Sequence, residues 1–168
     1  MLGILFIMLA IGFVFSQGGV VQVDGDSMLP TYKDEDRVII FKLFYTPKNG
    51  DVVVVELADF ENLMIKRIIG VAGDVIEIDP DDTGSGIIYR NGNPLTVTES
   101  GGLLYEEDYT INERTYNKKD LTGAVTVPQG FVFILGDNRG DSKDSRNKSV
   151  GMVHTSRIVG KAIHTISN

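Results

Sequence analysis

The chain contains no cysteine, which excludes a disulfide framework and a thiolate metal site. A cysteine-free chain fits an extracytoplasmic location without specifying one. Histidine is nearly as scarce: His154 and His164 are the only two, too few for a histidine-rich zinc site, so no metal is expected. Basic residues are outnumbered, sixteen Lys and Arg against twenty-three Asp and Glu for a net charge of -7, and they are scattered. That excludes a nucleic-acid surface. Long amphipathic helical periodicity is missing too. The 168 residues suffice for one domain with a proper core and a smaller appended lobe, not for a second independent domain.

Against these absences one apolar run stands out. "MLGILFIMLAIGFVFS" opens the chain, and no charge appears before Asp24. A spanning helix needs roughly 17 to 25 apolar residues, so the run is slightly short. It also lacks the basic residues of a cytoplasmic flank. A cleaved signal peptide has an apolar stretch of this length, but the basic start and small-x-small site that go with it are absent before "SQGG". A membrane anchor over residues 1–17, with its cytoplasmic end missing, is the expectation. A buried core helix and a removed signal peptide are the alternatives.

After Gly18 and Gly19 the pattern turns to short β-branched runs between turn signals. "VVQV" (20–23), "RVIIFKL" (37–43), "DVVVVEL" (51–57), "MIKRIIGV" (64–71) and "DVIEI" (74–78) each predict a strand. "GIIYRNGNPLTVT" predicts a hairpin turning at Asn91-Gly92, "AVTVPQGFVFILGD" one or two strands more, and "RIVGKAIHTI" a last one. The domain is therefore mainly β, a folded antiparallel sheet or barrel-like core. Residues 20–78 and 131–168 are expected to form it, with 79–130, polar and glycine-containing, as an inserted subdomain holding the hairpin. "DPDDTG" mimics the start of a calcium loop, but its twelfth position is Arg90 rather than Glu, so an acidic turn is the expectation.

"DGDSMLPTY" (24–32) places Ser27 in a turn. A serine hydroxyl attacks only when a nearby base takes its proton. His164 lies in the alternating run "KAIHTI", and His154 has no acidic residue near it in sequence to orient its ring. Lysine is the other option. An ordinary lysine titrates at about 10.4, so only roughly 0.4% of it is neutral at pH 8. To serve as a base it must sit among apolar groups that penalise its charge. Lys66 in "MIKRIIG" has such neighbours, and alternation sends it and Arg67 to opposite faces, so that one of the two faces inward. Taken alone, Lys66 also reads as a solvated edge residue. A third stretch, "GDNRGDSKDSR" (136–146), crowds charges and two serines into the loop after the apolar "FVFIL". A salt-bridged turn would read the same way. The loop also contains Arg139-Gly140-Asp141, a cell-adhesion tripeptide that arises often by chance.

Taken in order, these segments resemble the bacterial type I signal peptidases, membrane-anchored Ser-Lys endopeptidases. "VDGDSMLPT" is similar to the family's nucleophile box, "DRVIIFKL" with "PKNGDVVVV" to its second region, "KRIIGVAGDVIEI" to its lysine box and "GDNRGDSKDSR" to its last box. "GMVHTSRIVGKA" resembles the closing strand, and "YRNGNPL" carries the likeness through the middle. The resemblance implies Ser27 as nucleophile and Lys66 as general base, with Ser142 hydrogen-bonding the lysine amine. It implies an Asp144–Arg146 ion pair in the last loop, which Asp137 and Asn138 help to shape. The oxyanion would be held by the Ser27 backbone N–H. Some members add a hydroxyl two residues earlier, where this chain has Gly25, so a second donor would be a backbone group or water. Glu35 and Ala72 stand where many members have Gly and Pro, and lysine rather than histidine as the base marks the bacterial type. The substrates implied are preproteins exported by the Sec or Tat route. They would bind extended beside a strand edge and be cut after small residues at the first and third positions before the bond. Val23, Met28 and Ile65 are the candidates for lining those pockets. The catalytic domain would face the extracytoplasmic side of the cell membrane, anchored in the bilayer, and no cofactor is implied. A self-cleaving Ser-Lys protease of the repressor type and a non-catalytic membrane-tethered β binding domain are the alternatives.

Overall fold

The computed structural model describes residues 18–42, 45–57, 63–80, 85–95, 109–110 and 123–166. Among them the chain is built almost wholly of antiparallel strands. In chain order these are β1 (Gly18–Gln22), β2 (Arg37–Phe41), β3 (Val52–Val55), β4 (Met64–Val71), β5 (Val75–Pro80), β6 (Ser85–Arg90), β7 (Asn93–Pro94), β8 (Tyr109–Thr110), β9 (Val125–Thr126), β10 (Phe131–Leu135), β11 (Val153–His154) and β12 (Ile158–Ile166). Each long run of Val and Ile became a strand because β-branched side chains pack well on a pleated surface. The "GMVHTSR" stretch is less regular than a single closing strand: β11 is followed by a single 3-10 turn, Thr155–Arg157, before β12 begins.

Seven strands form the main sheet in the order β1-β2-β12-β3-β4-β10-β11, and a smaller sheet runs β7-β6-β5-β9 with β8 paired to β6. The hairpin between β6 and β7 turns at Asn91 (φ 53°) and Gly92 (φ 75°), both in the left-handed region that a tight turn requires. The smaller sheet begins at Val75, directly after the turn that ends β4. Its Ile76, Ile78 and Ile88 interlock with Ile69, Phe133 and Leu135 of the main sheet in one buried cluster. Burying each of these side chains is worth about 1.5 to 3 kcal/mol, so the two sheets share a core.

The main sheet is strongly coiled. Three strands separate β1 from β4 in its order, yet Val21 of β1 and Val23 just beyond it line the same cleft as Ile65 and Lys66 of β4. A second cluster, with Val23, Met28, Val38, Ile40, Val54, Ile65 and Ala162, fills the inside of this curl. A third, with Val53, Val55, Ile68, Val132, Ile134 and Val153, covers other core positions. Every residue of β4 between Ile65 and Gly70 is buried. The anchor expected over residues 1–17 and the acidic turn at 81–84 lie outside the described residues. Among the described residues no helix is long and apolar enough to cross a membrane.

Candidate active site

Ser27 is set by what flanks it. After β1, Val23 donates its N–H to the Asp36 carbonyl and accepts from the Glu35 N–H, closing the base of a loop. Inside that loop Gly25 takes a left-handed conformation (φ 79°) and donates its N–H to the Asp34 carboxylate at 2.8 Å. The Leu29 N–H donates to the Asp26 carbonyl and the Tyr32 N–H to that of Met28, winding residues 26–32 into a tight turn. Met28 is 0% exposed and plugs the inner core. Its side chain pins the turn, so the neighbouring Ser27 can be only partly buried at the surface above.

β4 brings the amine to this serine. The Lys66 Nζ donates to the Ser27 Oγ at 2.7 Å and to the Ile65 carbonyl at 2.8 Å. Lys66 is 3% exposed and Arg67 7%, so the expectation that only one of the pair turns inward is corrected. Alternation says that neighbours point to opposite faces, and here both faces are covered. The two cations meet different fates. Burial penalises the Arg67 charge, but the Asp137 carboxylate outweighs it, accepting from Nε at 2.7 Å and from Nη2 at 2.5 Å, and keeps the arginine fully charged. Lys66 has no carboxylate within bonding distance among the described residues. Its burial outweighs the pull of Asp144 and Asp137, Arg146 adds repulsion, and its pKa falls from 10.5 to about 8.

The loop after β10 closes the site. Arg67 faces Leu135 in the β4–β10 register, so continuing that antiparallel register by one residue brings Gly136 abreast of Lys66. A side chain on Gly136 would collide with the Ser142 Oγ and lie 2.5 Å from the Ser27 carbonyl oxygen. Glycine is what permits the loop to pass between them. The Asn138 N–H donates to the Ser27 carbonyl at 3.0 Å, and its side-chain amide to the Asp26 carbonyl at 3.1 Å. Asp144 accepts from Arg146 Nε and Nη2, both at 2.8 Å, and from the Gly136 N–H at 3.0 Å. That ion pair is wholly buried.

Not every anticipated contact is made. The hydrogen bond from Ser142 to the lysine amine is not formed: the buried Ser142 Oγ has no partner among the described residues. Val23 and Ile65 line the cleft of about 250 Å³ that holds Ser27 and Lys66, whereas Met28 does not, because it is committed to the core. Val54, Leu63, Met64 and Lys143 line the cleft as well. Of these, Leu63 and Met64 lie just ahead of the lysine in sequence. Neither histidine is in the cleft. His154 instead caps the 3-10 turn, with its Nδ1 2.7 Å from the Ser156 Oγ, and stacks edge-on with Phe131. Arg139 is 5% exposed, so Arg139-Gly140-Asp141 does not present its guanidinium as an adhesion loop would. Among the described residues no group of His, Asp or Glu side chains is gathered to hold a metal ion. The arrangement is a serine hydroxyl against a desolvated amine that is half neutral near pH 8, a geometry in which a hydroxyl can pass its proton to an amine.

Residues 1–166 match the family model described as signal peptidase, peptidase S26. A probable signal peptidase I-1 from Synechocystis sp. is 34% identical over 152 residues, covering 84% of this chain and 67% of that protein. A signal peptidase I from Bacillus caldolyticus is 35% identical over 153 residues, covering 89% of this chain and 78% of that one. A solved signal peptidase I from Enterococcus faecalis V583 aligns with a TM-score of 0.47 at 27% identity, covering 70% of this chain and 97% of that chain.

Proposed function

Because this chain belongs to the signal peptidase family, peptidase S26, we propose that it cuts signal peptides from exported preproteins with Ser27 as nucleophile and Lys66 as general base. The observation that carries this reading is the 2.7 Å contact between the Ser27 Oγ and the Lys66 Nζ. A neutral Lys66 amine keeps one N–H on the Ile65 carbonyl and turns its lone pair to the serine. As Oγ attacks the scissile carbonyl carbon, its proton passes to Nζ. The ammonium then protonates the departing amine, and the acyl group stays on Ser27. The amine next takes a proton from water, whose oxygen attacks the ester; as the ester bond breaks, the Lys66 ammonium returns that proton to Ser27 Oγ and the signal peptide leaves as its carboxylate. In the tetrahedral states the Ser27 N–H serves the oxyanion. Gly25 offers no hydroxyl there, so any second donor is a backbone N–H or a water molecule.

The substrate lies extended in the cleft, beside the edge of β1, which among the described residues pairs only with β2. An edge strand offers main-chain donors and acceptors to such a segment. Val23 and Ile65 narrow the cleft to small side chains at the first and third positions before the bond, and Met28 supports them from beneath. Residues 1–17 anchor the enzyme in the membrane with the catalytic core, 20–78 and 131–168, on its extracytoplasmic side. Residues 79–130 form the appended lobe. The decisive test is cleavage of a preprotein by the full chain in detergent, with Ser27→Ala and Lys66→Ala run in parallel. Both variants are expected to lose turnover while keeping the β fold, and near-native turnover by either would sink the dyad.

A further inference from the structure

Two polar contacts among the described residues join the turn that carries Ser27 to β4, and they come from successive residues of that strand. The Lys66 Nζ reaches the Ser27 Oγ at 2.7 Å, and the Arg67 Nη2 donates to the Thr31 Oγ1 at 3.2 Å. The first contact is interrupted by the reaction itself. Once Ser27 is acylated its Oγ is an ester oxygen, and the Lys66 amine must turn to water. The second takes no part in making or breaking bonds and persists through the cycle. Thr31 Oγ1 is fixed on its other side as well, donating to the Asp137 Oδ2 at 2.5 Å, the short range of a hydroxyl on a carboxylate. Arg67 is itself held: Nε and Nη2 grip Asp137, and Nη1 donates to the Gly50 carbonyl at 2.8 Å. Thr31 is exposed as a residue, yet its one hydroxyl ties the nucleophile turn both to the strand that carries the base and to the loop that closes the site.

We propose that Thr31 is a positioning residue, whose hydroxyl keeps the Ser27 turn in register with Lys66 while the contact between those two is broken and remade. This rests on the Ser27–Lys66 reading of the cleft. A methyl in place of the hydroxyl must retreat from 2.5 Å to an ordinary contact of about 3.5 Å from the carboxylate oxygen. A misplacement of about 1 Å in the reacting groups costs up to about 100-fold in rate.

The test compares three variants of the full chain in detergent: Thr31→Val, which puts a methyl where the hydroxyl was, Thr31→Ala, which removes it without crowding, and Thr31→Ser, which keeps it. Preprotein kcat and KM are followed from pH 6 to 9, below the thermal midpoint measured for each protein. Thr31→Val and Thr31→Ala should lower kcat about ten- to 100-fold with KM little changed, and Thr31→Ser should recover most of the loss. The rising limb of the rate profile should stay where the native one lies, because Arg67 still binds both oxygens of Asp137. A role in stability alone would lower the midpoint and leave the kcat of folded enzyme untouched. Native kcat in folded Thr31→Val and Thr31→Ala, a loss confined to KM, or a Thr31→Ser enzyme as slow as Thr31→Val would each overturn the proposal. A wrong dyad would show separately, as turnover surviving Ser27→Ala.

Discussion

Replacing Lys66 with methionine should make the protein more stable at neutral pH while abolishing cleavage, and the gain should vanish in alkali. The folded lysine titrates at about 8 against 10.5 for an ordinary one. At about 1.36 kcal/mol per unit, the folded state carries a penalty of about 3 kcal/mol for the charged amine. Linkage sets the window. Below pH 8 both states hold the proton and the penalty is complete. Between 8 and 10.5 the folded state has released it while the unfolded chain retains it, so stability rises with pH, and above 10.5 nothing further changes. Methionine fills the volume without a charge. It forfeits the bonds to the Ser27 Oγ and the Ile65 carbonyl, about 1 kcal/mol each. The variant should therefore be about 1 kcal/mol more stable than native at pH 7 and about 2 kcal/mol less stable at pH 10.5. Urea denaturation of the full chain in non-ionic detergent, followed by circular dichroism from pH 6 to 10.5, measures this as a crossing of midpoints. All other titrating groups are common to both proteins and cancel. A difference that stays constant across the range would refute the discharged lysine.

The same group sets the rate profile. In the proposed mechanism only neutral Lys66 can accept the serine proton, so kcat/KM should climb about tenfold per pH unit below 8 and level off above it; a flat profile from 6 to 9 would contradict this. Gly136→Ala forces a methyl onto the Ser142 Oγ and to within 2.5 Å of the Ser27 carbonyl. Displacing the loop should cost at least about 1 to 3 kcal/mol and most of the turnover, read by urea midpoint and preprotein cleavage. Asp137→Asn leaves Arg67 buried without its carboxylate and loosens the Thr31 hydroxyl that donates to it at 2.5 Å. A loss of about 3 to 5 kcal/mol is expected, visible as a lowered thermal midpoint, and an unchanged midpoint would show that the pair is not structural.

The strands were legible from sequence because a pleated, half-covered surface selects β-branched residues and turns select Gly, Asn and Asp. What alternation could not convey is how many faces a strand has covered. "MIKRIIGV" reads as one face in and one face out, and becomes buried on both only because the sheet coils and the final loop folds over it. Met28 is a related case. An apolar residue next to Ser27 suits a pocket or a core equally well, and only the packing of Val38, Ile40 and Ala162 around it places it in the core. Glu35 is the converse case. The residue type says nothing unusual, yet its φ of 68° is the left-handed conformation that favours glycine.

The pairing of Arg67 with Asp137, seventy residues apart, was not legible at all, and it bears on how a lysine can serve as base. Two adjacent cations enter the protein on one strand, and each must either be neutralised by a partner or lose its proton. A carboxylate in contact with Lys66 would stabilise the ammonium and raise its pKa, leaving almost no neutral amine near pH 8. The carboxylate at the start of the final loop is instead bound on both oxygens by Arg67, and the other, Asp144, by Arg146. Both carboxylates still raise the Lys66 pKa through space, but neither is within hydrogen-bonding reach, and Arg146 opposes them. The arginines thus occupy the acids that would otherwise hold the proton on Lys66. Freeing either acid should leave less of the lysine neutral near pH 8 and so shift the rising limb of the rate profile to higher pH.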